Sequence, residues 1–310
     1  MKDKIDNFFV DVKHILSDDK YVKTDYKENE QRTNVIYLNT DCNLRCSYCY
    51  ESNSKNGLED QANCTTKMID DFLNEICNRE KNASASTVVI MGGEPFLKFN
   101  LIQYTIYKAM SLIKKGKTKG WGISLITNAT LFNKYKLTQL KEMIDLGKKY
   151  ATKISLELSY DGSGQEERFF PTGLSSREIV ESSIQKVIDF KIPFKISYTV
   201  HNGNWNNIIE DCIYIFEKWK SEYLRRITIG YAHQILDDHL SSDGWGYETK
   251  EYLRPYFKSL FKKYKIPICD VVCDICQKCH KENFIGNSYM SPTTGMTYDE
   301  KKTEHEFKQF

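Results

Sequence analysis

The stretch Cys42-Asn-Leu-Arg-Cys46-Ser-Tyr-Cys49 places three thiols on one short length of chain. Thiolates at this spacing can ligate three irons of a cubane cluster, one cysteine to each corner. No fourth cysteine lies nearby, so one iron would stay open to an outside ligand. A tetrahedral zinc site asks for a fourth ligand and usually for cysteine pairs two residues apart, which this loop meets less well. Three unligated core thiols are the remaining reading, and Asn43, Arg45 and Ser47 are poor company for a packed core. A second group, Cys269, Cys273, Cys276 and Cys279, presents four thiols within eleven residues, enough for a closed metal site. A cluster capped by four protein thiolates has no free iron, and its natural work is electron relay or structural support. Zinc is the alternative at that site, with His280 as a substitute ligand.

The whole chain narrows the setting of these groups. A formal charge of +2 from 44 basic and 42 acidic residues supplies no field that would select nucleic acid or an anionic membrane, so neither is expected as a partner. The opening MKDKIDNFFV has no long apolar segment behind its basic start, and no later stretch has the length to cross a bilayer. A cytoplasmic protein is expected. Thiols in a reducing cytoplasm are seldom held as structural disulfides, so ten cysteines point to metal or redox chemistry. With 310 residues and 40% hydrophobic content, the chain can bury one large core, or one core and a small appendage.

Elements able to position the cysteines are legible from about Asn34 onward. Short β-branched runs alternate there with segments of helical period, the pattern of βα units on a parallel sheet. Strands are predicted over Val35 to Leu38, Val88 to Met91, Ile123 to Ile126, Ile154 to Leu158, Phe194 to Val200 and Ile227 to Tyr231. Met68, Ile69, Phe72, Leu73 and Ile76 mark one amphipathic helix between them, and Ile179, Val180, Ile184, Val187 and Ile188 another. Ser175 with Glu178 is a capping box for the second. Six units fall short of a closed eight-stranded barrel, so the predicted fold is α/β: an open, partial (β/α)6 TIM-like barrel with a concave inside. Residues 1–33 are predicted as an N-terminal helical extension, 34–232 as the barrel and 233–310 as a small Cys-rich C-terminal extension.

Parallel βα architectures form their sites where the strands end. The cysteine loop follows the first predicted strand, Gly92-Gly93-Glu94-Pro95 the second, Thr127-Asn128 the third and Ser159-Tyr160-Asp161-Gly162 the fourth. His201 and His233 follow the fifth and sixth. Taken singly, most of these have a bland reading. Two glycines and a proline make a turn, Thr127-Asn128 can simply end a strand, and Arg168 can be an exposed turn residue. His201 and His233 are weak acid–base candidates, since structural histidines are commoner. Cys64, Cys77 and Cys212 read as small core hydrophobes, the last two on apolar helix faces.

In this order the motifs carry a specific likeness. The C-x3-C-x2-C loop with an aromatic before its third cysteine resembles the signature of the radical S-adenosylmethionine (SAM) superfamily. Asp41 to Glu51 is similar to the branch that holds anaerobic sulfatase-maturating enzymes and peptide maturases. The likeness runs from about Asn34 to Ala232. It implies a 4Fe-4S cluster on Cys42, Cys46 and Cys49 whose open iron chelates the amino and carboxylate groups of SAM. Reductive cleavage would give methionine and a 5'-deoxyadenosyl radical that abstracts a substrate hydrogen, with an electron donor such as flavodoxin or ferredoxin. The resemblance also places Tyr48 near the adenine and Gly92, Gly93 and Glu94 at the SAM amino group. Thr127 and Asn128 fall at the ribose, and Ser159 and Arg168 in the stretch that meets the SAM carboxylate.

The C-terminal cysteines resemble a SPASM or shorter Twitch domain in position and composition, which implies a second 4Fe-4S cluster. The match is incomplete, because no cysteine follows Cys279 and Asp299 stands near where one would be expected. At most one further cluster fits. Ser291 to Tyr298 is predicted as the hairpin of such a domain. The family points to a peptide or protein side chain as substrate. Radical chemistry on a small molecule or nucleotide is the alternative, and a non-catalytic iron-sulfur or zinc protein is the reading from another class.

Overall fold

The structure is a computed structural model that describes residues 33–49, 63–81, 83, 85–201, 203–231, 256–257, 259–260, 262–266, 268–270, 287–291 and 295–299. The predicted N-terminal helix lies outside these residues, as do His233, Cys273, Cys276, Cys279 and His280. Six parallel strands make the body of the sheet: β1 (Thr33–Tyr37), β3 (Ser86–Met91), β4 (Trp121–Thr127), β5 (Thr152–Ser159), β7 (Phe194–Val200) and β8 (Leu224–Tyr231). They lie side by side in sequence order, the arrangement of an open partial barrel. Each of the six strands expected from β-branched runs is present, longer by one to three residues at some ends.

Helices α1 (Thr66–Arg79), α2 (Phe99–Lys114), α3 (Lys134–Lys149), α4 (Arg177–Asp189) and α5 (Ile208–Lys218) make the crossovers. Thr65 caps α1 by accepting from the Met68 amide at 3.2 Å, and Asn133 caps α3 from Lys136 at 2.9 Å. The capping box expected at Ser175 and Glu178 does not form. Ser176 is the residue at the helix start, one place further on, and the Ser175 hydroxyl accepts from the Arg177 amide at 3.2 Å. Ile69, Phe72, Leu73, Leu140, Val180 and Ile184 pack from these helices onto Ile90, Leu125, Leu156 and Ile196 of the sheet, all of them buried. Burying one such side chain contributes about 1.5–3 kcal/mol. Cys64, Cys77 and Cys212 all belong to this core, as small buried side chains.

Parallel strands covered on both faces read as unbroken apolar runs. β5, β7 and β8 alternate instead, which lines their part of the second face with polar side chains. Ser124, Ser155, Ser159, Ser197, Thr199 and Thr228 interleave with the buried apolar residues, and Glu157 lies 3.9 Å from Lys195 on the same face.

Three short strands from beyond residue 232 continue the same sheet. β9 (Ile268–Asp270) runs parallel to β8 at one edge, and Cys269 is its middle residue, in register with Thr228. At the other edge β10 (Asn287–Ser291) pairs in parallel with β1, and β11 (Gly295–Asp299) closes the expected hairpin on β10. A two-residue ribbon joins β2 (Arg45–Cys46) to β6 (Arg168–Phe169).

Candidate functional site

The cysteine loop leaves β1 and is held from two sides. On the first side, the Gly93 amide donates to the Asn39 carbonyl at 2.8 Å and the Glu94 amide to the Asp41 carbonyl at 2.7 Å. The two backbones run so close that a Cβ at Gly93 would stand 2.3 Å from the Asp41 oxygen. At Gly92, whose φ is +147°, a Cβ would stand 2.4 Å from the Asn39 oxygen. The glycine pair is therefore required by the loop itself.

Glu94 has no exposed surface, and its carboxylate is fully engaged. Oε1 accepts from the Thr127 hydroxyl at 2.7 Å and the Phe96 amide at 2.9 Å, and Oε2 from the Asn128 amide at 2.8 Å. Burial raises its pKa, against the pull of those donors. Glu94 thus ties the end of β3 to the end of β4. Beyond it, Asn128 donates to Cys42 Sγ at 3.8 Å and to Asn43 Oδ1 at 3.0 Å.

The other side of the loop rests on β6. Cys46 pairs with Arg168, the Ser47 amide donates to the Glu167 carbonyl at 3.0 Å, and the Ser47 hydroxyl reaches Glu167 Oε2 at 2.5 Å. Arg168 is buried and is not the exposed turn residue of the bland reading. Its guanidinium makes a forked pair with Asp161, Nε to Oδ2 at 2.6 Å and Nη2 to Oδ1 at 3.2 Å. Burial alone would lower its pKa, and the Asp161 carboxylate raises it well above the usual value. Asp161, with no exposed surface, also accepts from the Thr199 amide at 2.8 Å and from the Tyr48 hydroxyl. Tyr48 stacks on His201 with ring centroids 4.6 Å apart, and Arg168 lies over its ring. His201 is buried, its Nδ1 accepts from the Gly203 amide at 3.1 Å, and burial lowers its pKa, which favours the neutral ring.

The three thiols stand half-buried between these two supports. Burial pushes Cys46 up to about 12, with Arg168 pulling the other way, and raises Cys42 against a donation from the Leu44 amide at 3.4 Å. Thiols so raised stay protonated until a metal takes the charge. Among the described residues, no group of three or more His, Cys, Asp or Glu converges to hold a single ion. A cubane asks for no such convergence, since each thiolate binds a different iron. The donor set fits a 4Fe-4S cluster better than zinc. Ser159 ends β5 half-buried, in register with Ser197.

The sequence profile of the radical SAM superfamily matches residues 36–233, from β1 past the end of β8. The chain belongs to the radical SAM superfamily. It is 27% identical over 172 residues to an uncharacterized protein of Methanocaldococcus jannaschii, covering 55% of this chain and 53% of that protein. The chain therefore spans about half the length of the curated relative it matches. Among solved structures, native anSMEcpe with bound AdoMet superposes with a TM-score of 0.62 at 18% identity, over 87% of this chain and 74% of that one. SuiB of Streptococcus suis bound to precursor peptide SuiA gives 0.58 at 13% identity, over 98% and 76%. At these identities the structures show a shared fold. For this radical SAM protein, a 4Fe-4S cluster and SAM follow as the family's cofactors.

Sequence reasoning passed over Asp161 and Asn43 as functional residues. Both stand inside quoted motifs, but Asp161 meets Tyr48 only because the β2–β6 ribbon lays the cysteine loop against the chain that follows β5, and Asn43 meets Asn128 only because β1 and β4 end on the same rim.

Proposed function

We propose that this protein binds SAM at a cluster on Cys42, Cys46 and Cys49 and uses its reductive cleavage to modify a peptide or protein side chain. The observation that carries the first half is the loop itself: three half-buried thiols held between the β3 end and the β2–β6 ribbon, with no further thiol among the described residues at the site. When bound, the cluster and SAM supply methionine and a carbon radical able to abstract a substrate hydrogen. The protein's part is to hold and shield these groups. The Gly92-Gly93 backbone is the assigned contact for the SAM amino group, since the Glu94 carboxylate is occupied in holding that backbone to Thr127 and Asn128. Thr127 and Asn128 mark the ribose side and Ser159 the carboxylate side. Arg168, engaged with Asp161, holds Tyr48 at the loop, near the adenine.

A peptide substrate is supported by likeness of fold to SuiB, which was solved with a precursor peptide, and by the polar side chains that β5, β7 and β8 turn to the same face. A flavodoxin or ferredoxin as donor, the cytoplasm as location, and a second cluster on Cys269, Cys273, Cys276 and Cys279 complete the reading. Among the described residues no helix is long and apolar enough to cross a membrane. The test is a SAM titration of the reduced, anaerobically reconstituted protein followed by electron paramagnetic resonance. Added SAM is expected to change the cluster signal, and in Ser159→Ala to do so only at higher concentration. A signal indifferent to SAM contradicts the assignment. For the substrate, a mass change in a co-expressed peptide that disappears with Cys46→Ala is the expected outcome.

A further inference from the structure

We infer that Asn128 sets the reduction potential of the SAM-binding cluster by donating an N–H···S hydrogen bond to Cys42, in an orientation locked by Thr130 and Asn43. The inference rests on the proposed ligation of iron by Cys42. It gives Asn128 a task directed at the cluster, beyond the ribose position assigned by resemblance.

The orientation of an amide is ambiguous unless a partner can only donate or only accept. Asn128 has such a partner. Its Oδ1 accepts from the Thr130 backbone amide at 3.0 Å, a group that can only donate, and from the Thr130 hydroxyl at 2.7 Å. The opposite side must then be the NH2. One of its contacts is Asn43 Oδ1 at 3.0 Å and the other is Cys42 Sγ at 3.8 Å. Asn43 completes a ring by donating its own amide to the Thr130 hydroxyl at 2.8 Å. That hydroxyl accepts from Asn43 and gives its proton to Asn128, so the three side chains satisfy one another and no flip of either amide preserves the set.

The backbone is bent to make this ring. Ala129 sits at φ +62°, a left-handed conformation that an L residue rarely adopts, and that turn brings Thr130 back under Asn128. The Asn128 amide on the other side is fixed to Glu94 at 2.8 Å, and the side chain is buried. Hydrogen bonds to ligand sulfurs draw off thiolate charge and stabilise the more negative, reduced cluster, which raises its potential. Cys42 already receives the Leu44 amide at 3.4 Å. Asn128 is the side-chain donor to the same sulfur, and so the one that sequence can change.

The test is the midpoint potential of the reconstituted full chain without SAM, read by electron paramagnetic resonance on the signal that responds to SAM when it is later added. Asn128→Ala is expected to lower the potential, by about 59 mV if the reduction equilibrium falls tenfold in this one-electron couple. Thr130→Val, which leaves Cys42 itself untouched, removes one of the two donors that hold Oδ1 and the acceptor of the Asn43 amide, and should lower it in the same direction by less. If Asn128→Ala fails to assemble a cluster, Thr130→Val carries the test with the same sign. An unchanged or raised midpoint in either variant with a SAM-responsive signal overturns the inference. Wild-type protein with no SAM-responsive signal overturns the proposed function, and the inference with it.

Discussion

Glu94 is a buried tie between two strand ends at the rim of the sheet. Its two oxygens accept from Thr127, Phe96 and Asn128, all within 2.9 Å and without exposed surface on the carboxylate's own residue. Glu94→Ala leaves three donors at the rim unpaired. An unsatisfied buried group costs about 1–3 kcal/mol, so this variant should lose at least about 3 kcal/mol in denaturant unfolding. Asp161 makes a second case. Asp161→Ala strands the buried Arg168 guanidinium, at a cost of about 3–5 kcal/mol. His201 gives a pH signature. Its folded pKa lies below the unfolded value of about 6.5, so the unfolded chain takes up its proton first as pH falls. Stability should therefore decline as pH drops below about 6.5, until the folded pKa is passed, and His201→Asn should flatten that part of the profile in thermal melts at pH 7.5 and 5.5.

At the scale of elements, the loop is shaped by what its neighbours lack as much as by what they carry. Gly93→Ala puts a methyl 2.3 Å from the Asp41 oxygen, and neither backbone can yield without moving the cysteines. The expected result is a protein that folds but binds less iron than wild type after reconstitution. An unchanged iron content would mean that the loop tolerates displacement. The βα pattern and the strand-end motifs were legible in the sequence because a covered face and a polar face alternate along β5 and β7 with period two. The β2–β6 ribbon was not. Two residues are too few to carry a period, and Cys46 pairs with Arg168 only through folding of the chain between them. The bond from Tyr48 to Asp161 likewise spans 113 residues, and nothing in either local sequence announces it.

For the whole molecule, the sheet runs beyond the six strands that the alternation marked. β9 joins one edge and the β10–β11 hairpin the other, so segments far apart in sequence close on the same sheet. Cys269 lies in β9, which places the start of the C-terminal cysteine group at the β8 edge. If Cys269, Cys273, Cys276 and Cys279 hold a second cluster, anaerobic reconstitution should give about eight irons per chain, falling to about four when all four become Ala. Zinc in place of iron after anaerobic purification would contradict that part alone. The central claim is tested most directly by incubating reconstituted protein with SAM and a strong reductant under argon and measuring 5'-deoxyadenosine. Wild type should form it, and the variant with Cys42, Cys46 and Cys49 all replaced by Ala should form none. Equal yields from the two proteins would contradict the account.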